Sequence, residues 1–206
     1  MRSLGRFALG AAVAAGAAIA VGSRLHRGWG ASAAERACAL PGDDLVEDPV
    51  YRSTRAITIE APPEAVWPWL VQMGMGRAGW YSNDRLLGLI SPGPTESASA
   101  ILECYQDLKV GDPVDLILPM GFKVAELIPN QALVLFSEEL MPMQPWRKSW
   151  VFALRPLPGG ATRLLVRETS AWDSWLVGLV TSATAWAWFL GTRRQLKNLK
   201  ALVEAS

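Results

Sequence analysis

Short apolar segments with turn signals between them fill residues 100 to 169, and no other feature constrains the fold of this chain as strongly. The segments are Ala100 to Tyr105, Pro113 to Leu118, Phe122 to Ile128, Ala132 to Ser137, Lys148 to Leu154 and Thr162 to Thr169. Turn-forming residues such as Pro129-Asn130 and Pro158-Gly159-Gly160 separate them. Short strands at such regular spacing are typical of an antiparallel meander, so we predict six antiparallel strands here.

Another strand and the helices are predicted on either side of this series. Ser53 to Glu60 alternates between two faces and is interpreted as a first strand. A helix is expected from about Pro63 to Met73, because proline is tolerated in a first helical turn, and a second short helix from Ser82 to Leu89. Trp172 to about Glu204 lacks proline and repeats apolar residues at three- and four-residue steps, which indicates one long amphipathic helix. The pattern predicts an α+β fold.

The first 27 residues contain an uncharged, Ala- and Gly-rich stretch from Phe7 to Gly22. Arginines precede this stretch, and Arg24, His26 and Arg27 follow it. As a helix it would be about 24 Å long, close to the thickness of a bilayer core. We therefore predict a single-pass N-terminal anchor and a location at a membrane. A cleaved signal peptide is the alternative, and basic residues at both ends leave the side of the membrane open.

Composition and length place the rest of the chain in one domain. After the predicted anchor, residues 28–50 have no sustained periodicity and are interpreted as a linker, and residues 51–206 as the domain. Half of all residues are hydrophobic and the formal net charge is +1. Because no basic run is available to follow a phosphate backbone, nucleic acid is not an expected partner.

Several kinds of chemistry are excluded by the residues present. The single histidine, His26, lies in the basic flank and is expected to be solvated, so no serine or cysteine nucleophile has a histidine base in the domain. Cys38 and Cys104 lack metal-site spacing, and whether they pair is left open. The glycines from Gly74 to Gly79 match a dinucleotide fingerprint in form but follow a helix, not a strand. We predict no metal and no cofactor.

Seven residues remain as candidates for acid–base chemistry. They are Tyr81, Asp84, Glu126, Glu138, Glu139, Arg167 and Glu168. Glu138 and Glu139 are expected at the solvated end of a strand, and Arg167 and Glu168 on the outer face of theirs. Asp84 is interpreted as a cap or loop residue. No catalytic residue is assigned, and whether the protein is an enzyme is left open.

Three motifs resemble the SRPBCC superfamily, which includes START lipid-transfer domains, polyketide cyclase/dehydrase-like proteins and birch-pollen-allergen-like proteins. They are the run Ala61 to Trp67 after the first strand, the run Gly76 to Tyr81 after the helix, and the run Gln106 to Asp112. The resemblance covers about Trp29 to Glu204. It implies a helix-grip fold, in which a curved antiparallel sheet wraps around the long C-terminal helix and encloses an apolar cavity.

The residues expected to line this cavity are mostly aromatic. They are Trp67, Leu70, Trp80, Tyr81, Phe122, Phe136, Trp150 and Trp186. Trp80 and Tyr81 are expected to gate or line the pocket, with solid core packing as the alternative. The expected function is membrane-tethered binding or transfer of an apolar small molecule, such as a lipid or a polyketide-like compound. A cyclase/dehydrase-type enzyme and a protein-interaction module without ligand are the alternatives. The oligomeric state is left open.

Overall fold

The computed structural model describes residues 26–85, 88, 96–117, 120–139 and 146–206. Within these ranges the chain forms a set of helices and strands that we number in chain order. They are α1 (Ala33–Ala37), β1 (Tyr51–Ile59), α2 (Pro63–Val71), β2 (Pro113–Ile117), β3 (Met120–Ile128), β4 (Ala132–Ser137), β5 (Trp146–Pro156), β6 (Thr162–Trp172) and α3 (Trp175–Ala205).

The strands form one antiparallel sheet in the order β1-β6-β5-β4-β3-β2. Strand β6 therefore pairs with β1 on one side and with β5 on the other. The long helix α3 packs across one face, where its Leu196, Leu199 and Val203 join strand residues such as Phe152 and Val166 in the main core. The predicted α+β class and helix-grip architecture are confirmed.

The strand predicted at Ala100 to Tyr105 is wrong, because Glu103–Tyr105 forms a short 3-10 helix instead. The buried side chain of Gln72 binds the backbone of this segment. Its Oε1 accepts a hydrogen bond from the Leu102 N–H at 2.9 Å, and its Nε2 donates to the Ala100 carbonyl at 3.2 Å. A side chain at the end of α2 thus replaces a neighbouring strand as hydrogen-bond partner.

Residues 28–50, interpreted from sequence as a linker, pack against the face of the sheet that points away from α3. Helix α1 begins with a capping box, in which Ser32 Oγ accepts from Glu35 N–H and Ser32 N–H donates to Glu35 Oε2. Arg163 of β6 donates to Glu35 Oε1 at 2.7 Å. Buried Arg167 of the same strand donates to the carbonyl oxygens of Glu35, Arg36 and Cys38. These arginines hold the segment on the sheet, while the domain boundaries stay a prediction.

The predicted N-terminal membrane anchor, and the location derived from it, are wrong. In the part of the chain that the structure describes, the helix long and apolar enough to cross a membrane is α3, at the other end of the chain. The stretch from Phe7 to Gly22 lies outside the described residues. His26 is not a solvated flank, since its side chain is 4% exposed and its ring lies 5.4 Å from that of Trp186.

Both cysteines are free thiols. Cys104 is exposed, and Cys38 is half-buried, where its Sγ accepts a hydrogen bond from Arg155 Nη2 at 3.0 Å. The pairing that the sequence left open is therefore not formed in this structure.

Candidate functional site: a buried charge cluster

A carboxylate, a guanidinium and an ammonium group lie buried between the sheet and α3. Arg55 Nη1 donates to Glu168 Oε1, and Lys148 Nζ donates to Glu168 Oε2 at 2.8 Å. Glu168 and Arg55 are fully buried and Lys148 nearly so. We call these three residues the charge cluster. Because two cations face one carboxylate, the cluster carries one positive charge in excess.

Strand register explains how residues far apart in sequence meet here. Glu168 of β6 lies opposite Ser53 of β1 and opposite Trp150 of β5. Arg55 is two residues beyond Ser53, and Lys148 is two residues before Trp150. Side chains two positions apart point to the same face of a strand, so both cations become diagonal neighbours of Glu168.

Helix α3 covers the charge cluster with two aromatic side chains. Trp188 Nε1 donates to Glu168 Oε2, and the Lys148 ammonium lies 4.2 Å from the centre of a Trp188 ring. The Arg55 guanidinium lies 5.7 Å from the ring centre of Phe189. Both contacts are cation–π interactions, which strengthen when the cation is withdrawn from water. The carboxylate therefore has three donors, two of them charged.

The remaining donors of Arg55 bind the N-terminal segment and the start of β1. Arg55 Nε donates to the His26 carbonyl at 3.0 Å, and Nη2 lies 3.4 Å from the Tyr51 hydroxyl. Burial raises the pKa of Tyr51, and the nearby charge of Glu168 raises it further. Its phenol is thus neutral near pH 7 and closes this side of the cluster as a hydrogen-bonding group.

Opposing effects set the pKa of Glu168. Burial alone would raise it, because a low dielectric disfavours the charged form. The charges of Lys148 and Arg55, with hydrogen bonds from Lys148 and Trp188, outweigh burial and lower the pKa to about 2. The carboxylate is ionised at neutral pH. An efficient acid–base catalyst has a pKa near the working pH, and Glu168 does not.

This depressed pKa predicts an acid-sensitive fold. Glu168 has a folded pKa of about 2 against an ordinary 4.5, so its contribution is fully present above pH 4.5 and is lost as the pH falls toward 2. The contribution is on the order of 3 kcal/mol. We expect the urea stability of wild-type protein to fall more between about pH 6 and about pH 3 than that of a Glu168→Gln variant. Glu35, whose pKa is also lowered to about 2, chiefly by Arg163, is present in both proteins and cancels. Equal losses would contradict the prediction.

An aromatic cluster adjoins the charge cluster and is centred on Trp150. The rings of Trp80 and Trp150 stack with centres 4.9 Å apart, and Phe122, Phe152 and Trp188 surround the same tryptophan at 5.1 to 6.0 Å. Trp150 Nε1 is buried and has no hydrogen-bond partner among the described residues. Three of the expected cavity residues, Trp80, Phe122 and Trp150, are therefore together beside buried charges.

The other expected cavity residues lie elsewhere. Leu70 of α2 is fully buried in the core, and Trp67 packs at its edge. Phe136 is opposite Ser149 in the β4–β5 register, on the sheet face that points away from α3. Trp186 is 50% exposed on the outer side of α3. Whether the whole set lines a cavity stays a prediction, but Phe136 and Trp186 do not share the interior with Trp150.

Tyr81 belongs to the main core, and its hydroxyl binds none of the three residues of the charge cluster. Its hydroxyl donates to the Trp69 carbonyl at 3.2 Å and accepts from Gln72 Nε2 at 2.8 Å. Burial raises its pKa to about 12. Tyr81 also borders a surface groove of about 280 Å³ with Asn198 and Leu202 of α3. Asp84 is at this groove too, where it begins a helical turn, and its carboxylate accepts two hydrogen bonds from Ser97.

One expectation about the acid–base candidates is wrong. Glu168 does not lie on the outer face of its strand, because the register turns it inward and Arg167 outward. Arg167 is buried as well, under residues 28–50. Glu138 and Glu139 are exposed, as expected. Arg55 and Lys148 were not candidates, although each continues the apolar face of its strand, Arg55 with Ile57 and Lys148 with Trp150.

The sheet order and the long C-terminal helix define a helix-grip α+β protein. The charge cluster places ionised groups in its interior.

No protein-family profile matches this chain, and no curated protein does. Among solved structures, a protein from Chromobacterium violaceum is 21% identical, with 74% of this chain and 96% of that chain covered and a TM-score of 0.48. One from Nitrosomonas europaea is 14% identical, with 75% and 94% covered and a TM-score of 0.48. A third, from Mesorhizobium loti, is 15% identical, with 76% and 98% covered and a TM-score of 0.45. Likeness at this level says nothing about function.

Proposed function

We propose that this protein belongs to the SRPBCC superfamily and binds an apolar small molecule with an acidic group, such as a fatty acid or an acidic polyketide-like compound. The acidic group would lie at the charge cluster, and the apolar part beside the aromatic rings around Trp150. The observation that carries this proposal is the excess positive charge of Arg55 and Lys148 inside an otherwise apolar interior.

Charge balance supports an anionic ligand. A buried charge is costly unless a partner neutralises it, and Glu168 neutralises only one of the two cations. The Lys148 ammonium carries three donors, of which one hydrogen bond, to Glu168, is formed within the described residues. A carboxylate or phosphate on the ligand would neutralise the second cation and accept from these donors.

Neighbouring aromatic groups support an apolar body for the ligand. Trp80, Phe122 and Trp150 present large apolar surfaces next to the charges. The buried Trp150 Nε1, which lacks a partner among the described residues, offers one more donor to a polar atom of the ligand. Apolar walls with a few converging polar groups are typical of small-molecule sites.

Access to this region would require movement of the first half of α3. The structure describes every residue of α3, and none of those between Val177 and Phe189 is buried. In contrast, Leu196, Leu199 and Val203 anchor its second half in the core. Segments with few buried apolar contacts open at a lower free energy than the core, so we expect a ligand to enter beneath residues 178–188.

Proton transfer is less well supported than binding. A cyclase/dehydrase-type reaction needs a group that gains and loses a proton near neutral pH. The pKa of Glu168 is about 2 and that of Tyr81 about 12, so neither group readily gains and loses a proton near neutral pH. We therefore favour binding over catalysis for this interior.

Calorimetric titration of the delipidated full chain with dodecanoate and with dodecanol tests the proposal. We expect dodecanoate to bind more tightly than dodecanol. Lys148→Met should weaken dodecanoate binding about tenfold and leave dodecanol binding unchanged. Lys123→Met, the same change at an exposed position of β3, is the matched control and should bind both as wild type does. If neither probe binds the wild-type protein, the proposed function is wrong. If Lys148→Met binds dodecanoate normally, the charge cluster is not the site of the acidic group.

A further inference from the structure

The first half of α3 exposes large apolar side chains on its outer side. Their exposed fractions lie between 44 and 79%, and they are Trp175, Leu176, Leu179, Val180, Trp186 and Leu190. We call these six residues the α3 stripe. The stretch from Trp175 to Thr192 contains no charged residue. Single exposed apolar residues are common on proteins, but six on one helical segment indicate an interaction surface.

The same face of α3 becomes basic further along the helix. Leu179, Trp186, Leu190, Arg194 and Lys197 follow one another at steps of three, four and seven residues, so they lie on one side of the helix. Arg194 and Lys197 are exposed. From Trp175 to Val203 the helix has no acidic residue. An apolar surface that continues into a basic one complements a partner that is apolar inside and anionic at its boundary.

Two contacts keep the first half of α3 lying along the molecule. Trp188 donates to Glu168 near one end. Near the other end, Gly178 approaches Trp172 so closely that a side-chain Cβ at this position would lie 2.9 Å from Trp172 Nε1. The helix therefore presents the α3 stripe sideways, and its second half is embedded in the core. This geometry suits contact with a surface in the plane of the helix and does not suit a membrane-crossing orientation.

We propose that the outer face of α3 docks onto an anionic lipid bilayer. Trp175, Leu179 and Trp186 would insert at the level of the headgroups, where tryptophan is favoured, and Arg194 and Lys197 would pair with anionic headgroups. Each basic side chain near such a surface strengthens binding, and salt weakens this part of it. The charge cluster lies on the opposite side of α3, where Trp188 and Phe189 cover it.

Sedimentation of the full chain with vesicles tests this proposal. Wild-type protein should bind vesicles of equal parts phosphatidylcholine and phosphatidylserine, and bind pure phosphatidylcholine vesicles less well. Leu179→Ser/Trp186→Ser should reduce binding at least about tenfold. Its control is Val110→Ser/Leu157→Ser, which changes two exposed apolar residues elsewhere and should bind as wild type does. Arg194→Gln/Lys197→Gln should lose about tenfold on anionic vesicles only, against Lys109→Gln/Lys123→Gln as control.

Three results would overturn the proposal. The first is binding by the α3 variants that equals wild-type binding. The second is no vesicle binding together with a dimer that Leu179→Ser/Trp186→Ser dissociates, which would assign the α3 stripe to a second copy of this chain. The third is no vesicle binding by a monomer whose α3 stripe is protected from hydroxyl-radical labelling, which would assign it to the segment from Phe7 to Gly22.

Discussion

Replacing Glu168 by glutamine is expected to lower the free energy of unfolding by about 3–5 kcal/mol, the largest effect among our predictions. The amide keeps the size of the side chain but removes its charge. Arg55 and Lys148 then remain buried as two cations without a counter-charge, and Trp188 loses an anionic acceptor. Such a loss exceeds the net contribution of an ordinary hydrogen bond, because unpaired charges in the interior are destabilising in themselves.

Urea unfolding at neutral pH measures this effect. Glu138→Gln makes the same chemical change at an exposed position and should stay within about 0.5 kcal/mol of wild type. The double change Glu168→Gln/Lys148→Met should recover part of the loss, since only one unpaired cation remains. A Glu168→Gln variant as stable as the Glu138→Gln control would show that the charge cluster does not stabilise the fold.

Replacing Arg167 by methionine is expected to cost about 2–4 kcal/mol and to release residues 28–50 from the sheet. The guanidinium donates to the carbonyl oxygens at the end of α1, to Asp43 Oδ2 at 2.5 Å, and to Thr54 Oγ1 at 3.0 Å. Methionine fills a similar volume but donates no hydrogen bond. The carbonyl oxygens of the segment, the Asp43 carboxylate and the buried Thr54 hydroxyl then all lose this donor.

Limited proteolysis, together with urea unfolding, distinguishes release of residues 28–50 from a general loss of stability. We expect cleavage of Arg167→Met to begin within residues 28–50, while the rest of the domain stays resistant. Arg52→Met, at an exposed position of β1, is the control and should be cleaved as wild type is. If Arg167→Met loses stability without earlier cleavage in this segment, Arg167 stabilises the sheet and not the attachment of the segment.

Much of the fold could be predicted because it depends on local patterns. Alternation and turn residues predicted six strands after the first helix, and five of them are formed. The absence of proline indicated the long helix α3. The Ala100–Tyr105 segment looked like another strand, since hydrophobicity and length are all that a short window offers. The backbone of this segment is hydrogen-bonded by the side chain of Gln72, which lies 28 to 30 residues away. No local sequence pattern reveals such a contact.

Local patterns alone determined the α+β class, the antiparallel meander and the helix that crosses it. The charge cluster was decided by tertiary structure. Arg55, Lys148 and Glu168 come from three strands, and Arg55 and Glu168 are 113 residues apart in the chain. Each residue taken singly resembles a solvated surface charge. Their meeting depends on the pairing register of β1, β6 and β5, which turns all three inward, and on α3, which excludes water from them.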